Sequence, residues 1–250
     1  MPDGRRLLRR GAEELRAGAQ AVLHRVGAHR AAWRLGLADE VDFWDRYLGT
    51  GGLDWPEEFA DRVDPQRELT GPVADLVRDV PYDPVRVLDV GSGPLSAFAG
   101  AVPGRAVELV AVDPLADRYA ALCARHGVPT HVRPTVARVE ALTDVLPLAQ
   151  FDVVVARNAL DHSDDPVRGV TEMLAVTRPG GWLYLEHAER EGQNRRYRGL
   201  HHWDLWAEDG RPLVGHGSAG TDLAALDGVA MTHTEVDEAG WVRVWLQRAG

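Results

Sequence analysis

Gly91 and Gly93, two residues apart, are where this sequence first asks for a ligand. They close the run Val85-Arg-Val-Leu-Asp-Val-Gly-Ser-Gly-Pro94, and without Cβ atoms they let the backbone turn tightly and lie against a bound molecule. Other polar groups gather farther along. Asp113 follows a second apolar run, Asn158, Asp161 and His162 follow another, and Tyr197, His202 and Trp203 lie beside Arg195, Arg196 and Arg198. An imidazole can take or give a proton near neutral pH, so His162 is a candidate general base, with a structural histidine as its other reading. The chain has no lysine, which removes a Schiff-base lysine and a P-loop lysine from its chemistry. Cys123 is the only cysteine, so neither an intrachain disulfide nor a thiolate zinc cluster is available.

The elements that position these residues follow from periodicity. Val85, Val87, Leu88 and Val90 make a short apolar run suited to a strand buried on both faces. Pro94–Ala99 is expected to open a helix whose N-terminal amides face the glycine turn. Strand and helix then alternate, the pattern of a mostly parallel sheet. Strands are expected at residues 107–112, 129–133, 151–155 and 182–186, and helices at 115–126, 136–142 and 166–177. The runs 229–236 and 241–247, joined by Asp237-Glu-Ala-Gly240, read as a closing antiparallel hairpin. The fold class is therefore α/β, a doubly wound, mostly parallel seven-stranded sheet with a C-terminal antiparallel hairpin and an N-terminal helical extension. Residues 1–80 form that extension, and residues 81–250 form the ligand-binding domain. Within the extension, an arginine-rich helical pattern over 4–35 precedes helices at 39–48 and from Pro56, and Trp44, Tyr47 and Trp55 are candidates for a lid. Between 188 and 226 the periodicity fails, which marks a loop excursion that caps a second substrate.

Leu88-Asp-Val-Gly-Ser-Gly-Pro94, Val112-Asp-Pro114, Phe151-Asp-Val-Val-Val-Ala-Arg-Asn-Ala-Leu-Asp-His162, Arg178-Pro-Gly-Gly181 and the hairpin occur in the order and spacing of class I S-adenosylmethionine-dependent methyltransferases, which this chain resembles. A dinucleotide-binding fold needs Gly-x-Gly-x-x-Gly, and Ser96 stands where its third glycine belongs. The resemblance implies S-adenosylmethionine as cofactor. It implies contacts from Asp89, Gly91, Ser92 and Gly93 to the methionine and ribose portions, from Asp113 to the ribose hydroxyls, and from Pro114 and Leu115 to the adenine. Val139 and Glu140 take the remaining adenine position, although Arg138-Val-Glu-Ala141 departs from the family's usual Gly-Asp-Ala. Arg157 and Asn158 leave the fourth strand at the cofactor, while Asn158, Asp161, His162, Tyr197 and His202 are the catalytic candidates. Asp161, Asp164 and Asp165 together suggest a metal, but helix capping accounts for them and no metal is expected.

The implied activity is methyl transfer to a small molecule, in specialised metabolism. One alternative uses the cofactor's aminocarboxypropyl arm, transferring it or cyclising it to azetidine-2-carboxylate with release of methylthioadenosine. Another is a non-catalytic cofactor-binding subunit. A formal charge of -10 argues against a nucleic-acid partner. With neither a membrane span nor a secretory signal in the pattern, a cytoplasmic location is expected, and the N-terminal helices offer a surface for homo-oligomer formation.

Overall fold

The computed structural model describes residues 15–16, 18–20, 22–23 and 29–250. Of the arginine-rich pattern expected to be helical over 4–35, residues 4–14, 17, 21 and 24–28 lie outside the described residues. The extension continues as one helix, α1 (His29–Thr50), in place of the separate helix expected over 39–48. Gly36 lets α1 pass close to a distant loop, since a Cβ there would stand 2.5 Å from the Gly199 carbonyl oxygen. Two short helices follow, α2 (Pro56–Val63) and α3 (Pro72–Asp79), each with proline in its first turn, where its missing N–H costs nothing.

The core is a seven-stranded sheet. Strands β1 (Val85–Val90), β2 (Val107–Asp113), β3 (Thr135–Val136), β4 (Phe151–Arg157) and β5 (Thr177–Ala188) are parallel, and the closing hairpin runs antiparallel to β5. In sheet order the strands run β3, β2, β1, β4, β5 and then the two hairpin strands, Trp241–Arg248 inside and Val229–Val236 at the edge. Helix α4 (Ala116–His126) follows β2, and α5 (Pro166–Val176) precedes β5. Leu88, Val154, Leu183, Val170 and Met173 form the main core on one face of the sheet, and Val73 and Val77 of α3 cover Val85, Val87 and Val153 on the other. The strand-end glycine turn thus stands on a rigid base. Among the described residues no helix is long and apolar enough to cross a membrane.

Further sequence expectations differ from the structure. Pro94–Ala99 is a chain of turns, not a helix. Arginines occupy the carbonyls a helix would use: Arg62 donates to Leu95 O at 2.5 Å and Arg67 to Ala97 O at 2.6 Å. The third strand is Thr135–Val136, not 129–133, because Pro129 and Pro134 bracket the expected run and neither can donate to a ladder. The excursion 188–226 is largely ordered strand. After the one-turn helix α6 (Glu191–Asn194), β6 (Asp204–Glu208), β7 (Arg211–His216) and β8 (Ala219–Asp222) form a separate antiparallel sheet. Its first hairpin turns at Asp209-Gly210, both with positive φ, and its second at Gly217. Both are short-loop hairpin signals legible in the sequence.

Candidate functional site

A cavity of about 590 Å³ opens where β1, β2 and β4 end, roofed by α1 and by residues 199–201. Gly91 and Gly93 take φ of 72° and 63°, a left-handed conformation that other residues adopt at a cost. A Cβ on Gly91 would collide with the Ala159 Cβ, and one on Gly93 would stand 2.7 Å from the Trp44 ring. At both positions the backbone of the cavity floor packs so closely on Ala159 and Trp44 that no side chain fits.

Two buried carboxylates brace this floor. Asp113 Oδ2 accepts from the Gly93 N–H at 3.1 Å and Oδ1 from the Leu115 N–H at 2.8 Å. Burial pushes its carboxyl up to about 7, against those two hydrogen bonds and with help from the negative charges of Glu40 and Asp89. Asp89 accepts from Ser96 Oγ at 2.6 Å, and burial raises it to about 6. Ser92, Pro114 and Leu115 complete this side of the cavity. Val139 and Glu140 also line it, on a 3-10 helix over Val139–Asp144, but Glu140 is already engaged. Its Oε1 accepts from the Asp164 N–H at 2.5 Å and the Asp165 N–H at 3.2 Å, so it caps the chain entering α5.

Arg157 lies between Glu58 at 3.5 Å and Glu186 at 3.4 Å, with its guanidinium 5.2 Å above the Trp241 ring. Asn158, at φ 46°, borders the cavity while its Oδ1 accepts from the Ala188 N–H at 2.9 Å, which ties the end of β4 to the end of β5.

Asp161 and His162 occupy a 3-10 turn, Leu160–His162, and meet His201 from the excursion. His201 Nδ1 stands 2.7 Å from Asp161 Oδ2, and His162 Nε2 stands 3.1 Å from His201 Nδ1 and 3.4 Å from Asp161 Oδ2. Burial alone would push the Asp161 carboxyl up, but the surrounding imidazoles outweigh it and hold the group far below its ordinary range. Burial conversely opposes charge on His201, and its contact with Asp161 prevails and raises it. His187, fully buried behind Asp161, is lowered to about 4 by desolvation. Two indoles fix the backbone here, Trp33 Nε1 donating to His162 O at 2.8 Å and Trp203 Nε1 to Ser163 O at 3.0 Å.

Tyr197 and His202 lie outside the cavity. Tyr197 Oη donates to Asp204 Oδ2 at 2.7 Å, and its ring stacks on His216 with centroids 3.9 Å apart. His202 is buried, its backbone N–H donating to Asp161 O at 2.9 Å and its Nε2 lying 2.9 Å from Gly199 O. Of the three aspartates read as helix caps, only Asp165 caps α5, through the Arg168 N–H, whereas Asp164 pairs with Arg138. Trp44, Tyr47 and Trp55 do border the cavity. Trp33, Glu40, Arg62, Arg138 and His201 also border it and were not legible as site residues. For His201 a signal exists in the sequence, the adjacent imidazole pair His201-His202.

Residues 88–185 match a family model described as a methyltransferase domain. A ubiquinone biosynthesis O-methyltransferase of Bordetella bronchiseptica is 26% identical over 160 residues, which span 58% of this chain and 65% of that protein. An uncharacterized methyltransferase of Mycobacterium sp. strain KMS is 38% identical over 103 residues, spanning 40% of this chain and 38% of that one. The chain thus spans less than two thirds of the length of these curated relatives. A solved SAM-dependent methyltransferase from Aquifex aeolicus superposes with a TM-score of 0.42 at 13% identity, covering 66% of this chain and 82% of that one.

Proposed function

We propose that this chain, whose residues 88–185 match a methyltransferase domain on a seven-stranded, mostly parallel sheet, is a class I S-adenosylmethionine-dependent enzyme that transfers a methyl group to a hydroxyl of a small molecule, in the specialised metabolism of the cytoplasm. The observation that carries this reading is the glycine turn itself. Its Gly93 N–H donates to Asp113 and no helix follows it, so it lacks the cluster of helix N-terminal amides that suits a pyrophosphate. A ligand with a ribose and no phosphate fits it.

When bound, S-adenosylmethionine would supply an electrophilic methyl carbon on a sulfonium. Asp113 would accept hydrogen bonds from the vicinal ribose hydroxyls, with Pro114, Leu115 and Val139 against the adenine and Glu140 beside it. Gly91, Ser92 and Gly93 would pack against the ribose and methionine portions. Asp89, Arg157 and Asn158 would hold the polar end, Asp89 by bracing the turn through Ser96. Trp33, Trp44 and Tyr47 on α1 would exclude water and present aromatic faces to a cation. His162 and His201 would face the acceptor. That polar wall suits an oxygen acceptor, and the O-methyltransferase name of the Bordetella relative supports the same choice. Asp161 and His202 position His201, and Tyr197 anchors the loop that carries it.

The test is incubation with S-adenosylmethionine and a panel of hydroxylated aromatic and aliphatic acceptors, followed by mass spectrometry. S-adenosylhomocysteine should form in step with an O-methylated product. Methylthioadenosine in its place, or tight cofactor binding with no turnover across the panel, would refute the reading.

A further inference from the structure

We propose that Asp161, His162 and His201 form a binding site for a divalent transition-metal ion at the acceptor end of the cavity. Asp161 Oδ2, His162 Nε2 and His201 Nδ1 make a triangle with edges of 2.7, 3.1 and 3.4 Å. A point about 2.1 Å from all three, an ordinary metal bond length to imidazole nitrogen or carboxylate oxygen, lies ~1.1 Å out of the triangle's plane. The three atoms are therefore spaced as one face of a coordination polyhedron, and an ion equidistant from them matches those spacings. Two imidazoles and one carboxylate are a ligand set that first-row divalent ions such as zinc, iron, cobalt and manganese accept.

A second, independent observation concerns the carboxylate's other oxygen. Asp161 is 4% exposed, and among the described residues its Oδ1 has no hydrogen-bond partner. The nearest candidate, His187 Nδ1, is 3.9 Å away and is itself unpartnered. A buried carboxylate with one oxygen unpartnered is costly, and a metal ion on Oδ2 would offset that cost beyond what the imidazoles do. The surroundings also hold the histidines as metal ligands are held. Glu40 Oε2 lies 3.8 Å from His162 Nδ1, too far for a hydrogen bond but near enough for its charge to favour a proton on Nδ1, which leaves the Nε2 lone pair for the ion. The Trp33 indole secures the His162 carbonyl, and the His202 N–H secures that of Asp161.

Because His162 and His201 border the cavity, the remaining coordination positions open toward it. There an acceptor hydroxyl would bind the ion and become more acidic, a role that rests on the methyl-transfer reading. The site itself does not depend on that reading.

The experiment titrates zinc chloride calorimetrically into the metal-stripped full chain, with no cofactor or acceptor, and repeats the titration with cobalt chloride while recording visible absorption. One equivalent should bind. Affinity should fall at least about a hundredfold in His162→Ala and in His201→Ala, and the cobalt bands should vanish in both. Both rings are on the cavity wall, and far-UV circular dichroism reports whether each variant is folded. His201→Gln is a milder change and should show the same loss. His233→Ala, on the exposed edge strand, should bind as the wild type does. Wild-type affinity no higher than that of the His162→Ala/His201→Ala double variant, or an equal loss in His233→Ala, overturns the site. A chain that binds zinc as described but transfers no methyl group refutes the proposed function and leaves the metal site standing.

Discussion

Asp113 concentrates the electrostatics of the proposed cofactor site in one side chain. Both its oxygens already accept backbone N–H groups, yet burial leaves the carboxyl near 7, so a modest pH change alters its charge. Only the ionised form offers every lone pair to the ribose hydroxyls, so affinity for S-adenosylmethionine should fall by about tenfold between pH ~8 and ~6, with proton release on binding. Asp113→Ala should weaken binding by at least an order of magnitude, and Asp113→Asn should flatten the pH profile; calorimetry in buffers of different ionisation enthalpy checks both. The sign for folding is the reverse. A carboxyl raised in the folded state binds its proton more readily there than in the unfolded chain, so without cofactor its unfavourable contribution is full above about 7 and disappears toward the ordinary carboxylate range. Asp113→Asn should therefore raise the urea midpoint at pH ~8 and change it little near pH ~4.

At the scale of elements, the three-stranded sheet from β6 to β8 acts as a buttress for the loop that delivers His201. Its connection to that loop runs through the fully buried Asp204, whose Oδ1 accepts from the Gln193 N–H at 2.8 Å and whose Oδ2 accepts from Tyr197 Oη and, at 3.2 Å, from the Gly217 N–H. Burial pushes the Tyr197 hydroxyl up to about 12, so it remains a donor at any working pH. Tyr197→Phe removes one donor from a buried carboxylate and should cost about 1–3 kcal/mol of stability. Cofactor affinity should hold, because Tyr197 lies outside the cavity. A large loss of affinity at unchanged stability would place Tyr197 in the site instead. The same logic explains the turn after β1: with Arg62 and Arg67 holding its carbonyls, the segment needs no helical hydrogen bonds.

Across the whole molecule, α1 is both part of the fold and the roof of the site. Its Tyr47 and Leu48 pack with Tyr119, Leu122 and Cys123 of α4, while Trp33, Glu40 and Trp44 border the cavity. Cys123 is buried beneath this contact, and burial also raises its thiol above its ordinary value. A thiol reagent should therefore label it only when α1 lifts away or the chain unfolds. If α1 closes over S-adenosylmethionine, saturating cofactor should slow labelling in proportion to its concentration over Kd. A rate indifferent to cofactor would show that α1 is not the lid.

The sheet, the hairpin and the glycine turn were legible because their signals are local. Alternating apolar runs, a pair of glycines and an aspartate at a strand end each act within a few residues of themselves, and the family resemblance that they carry implies S-adenosylmethionine as the proposed cofactor. The Asp209-Gly210 hairpin signal is equally local. What only the tertiary structure decided is non-local. Arg62 and Arg67 cancel a helix some 30 positions away, with Arg67 and Ala97 30 residues apart in sequence. Asp161 meets His201 across 40 residues, and Trp33 reaches His162 across 129. No periodicity encodes such meetings, because each depends on where two separately folded elements come to rest. Sequence alone therefore determined most of the main sheet and suggested the cofactor, while the fold decided which polar groups border the cavity.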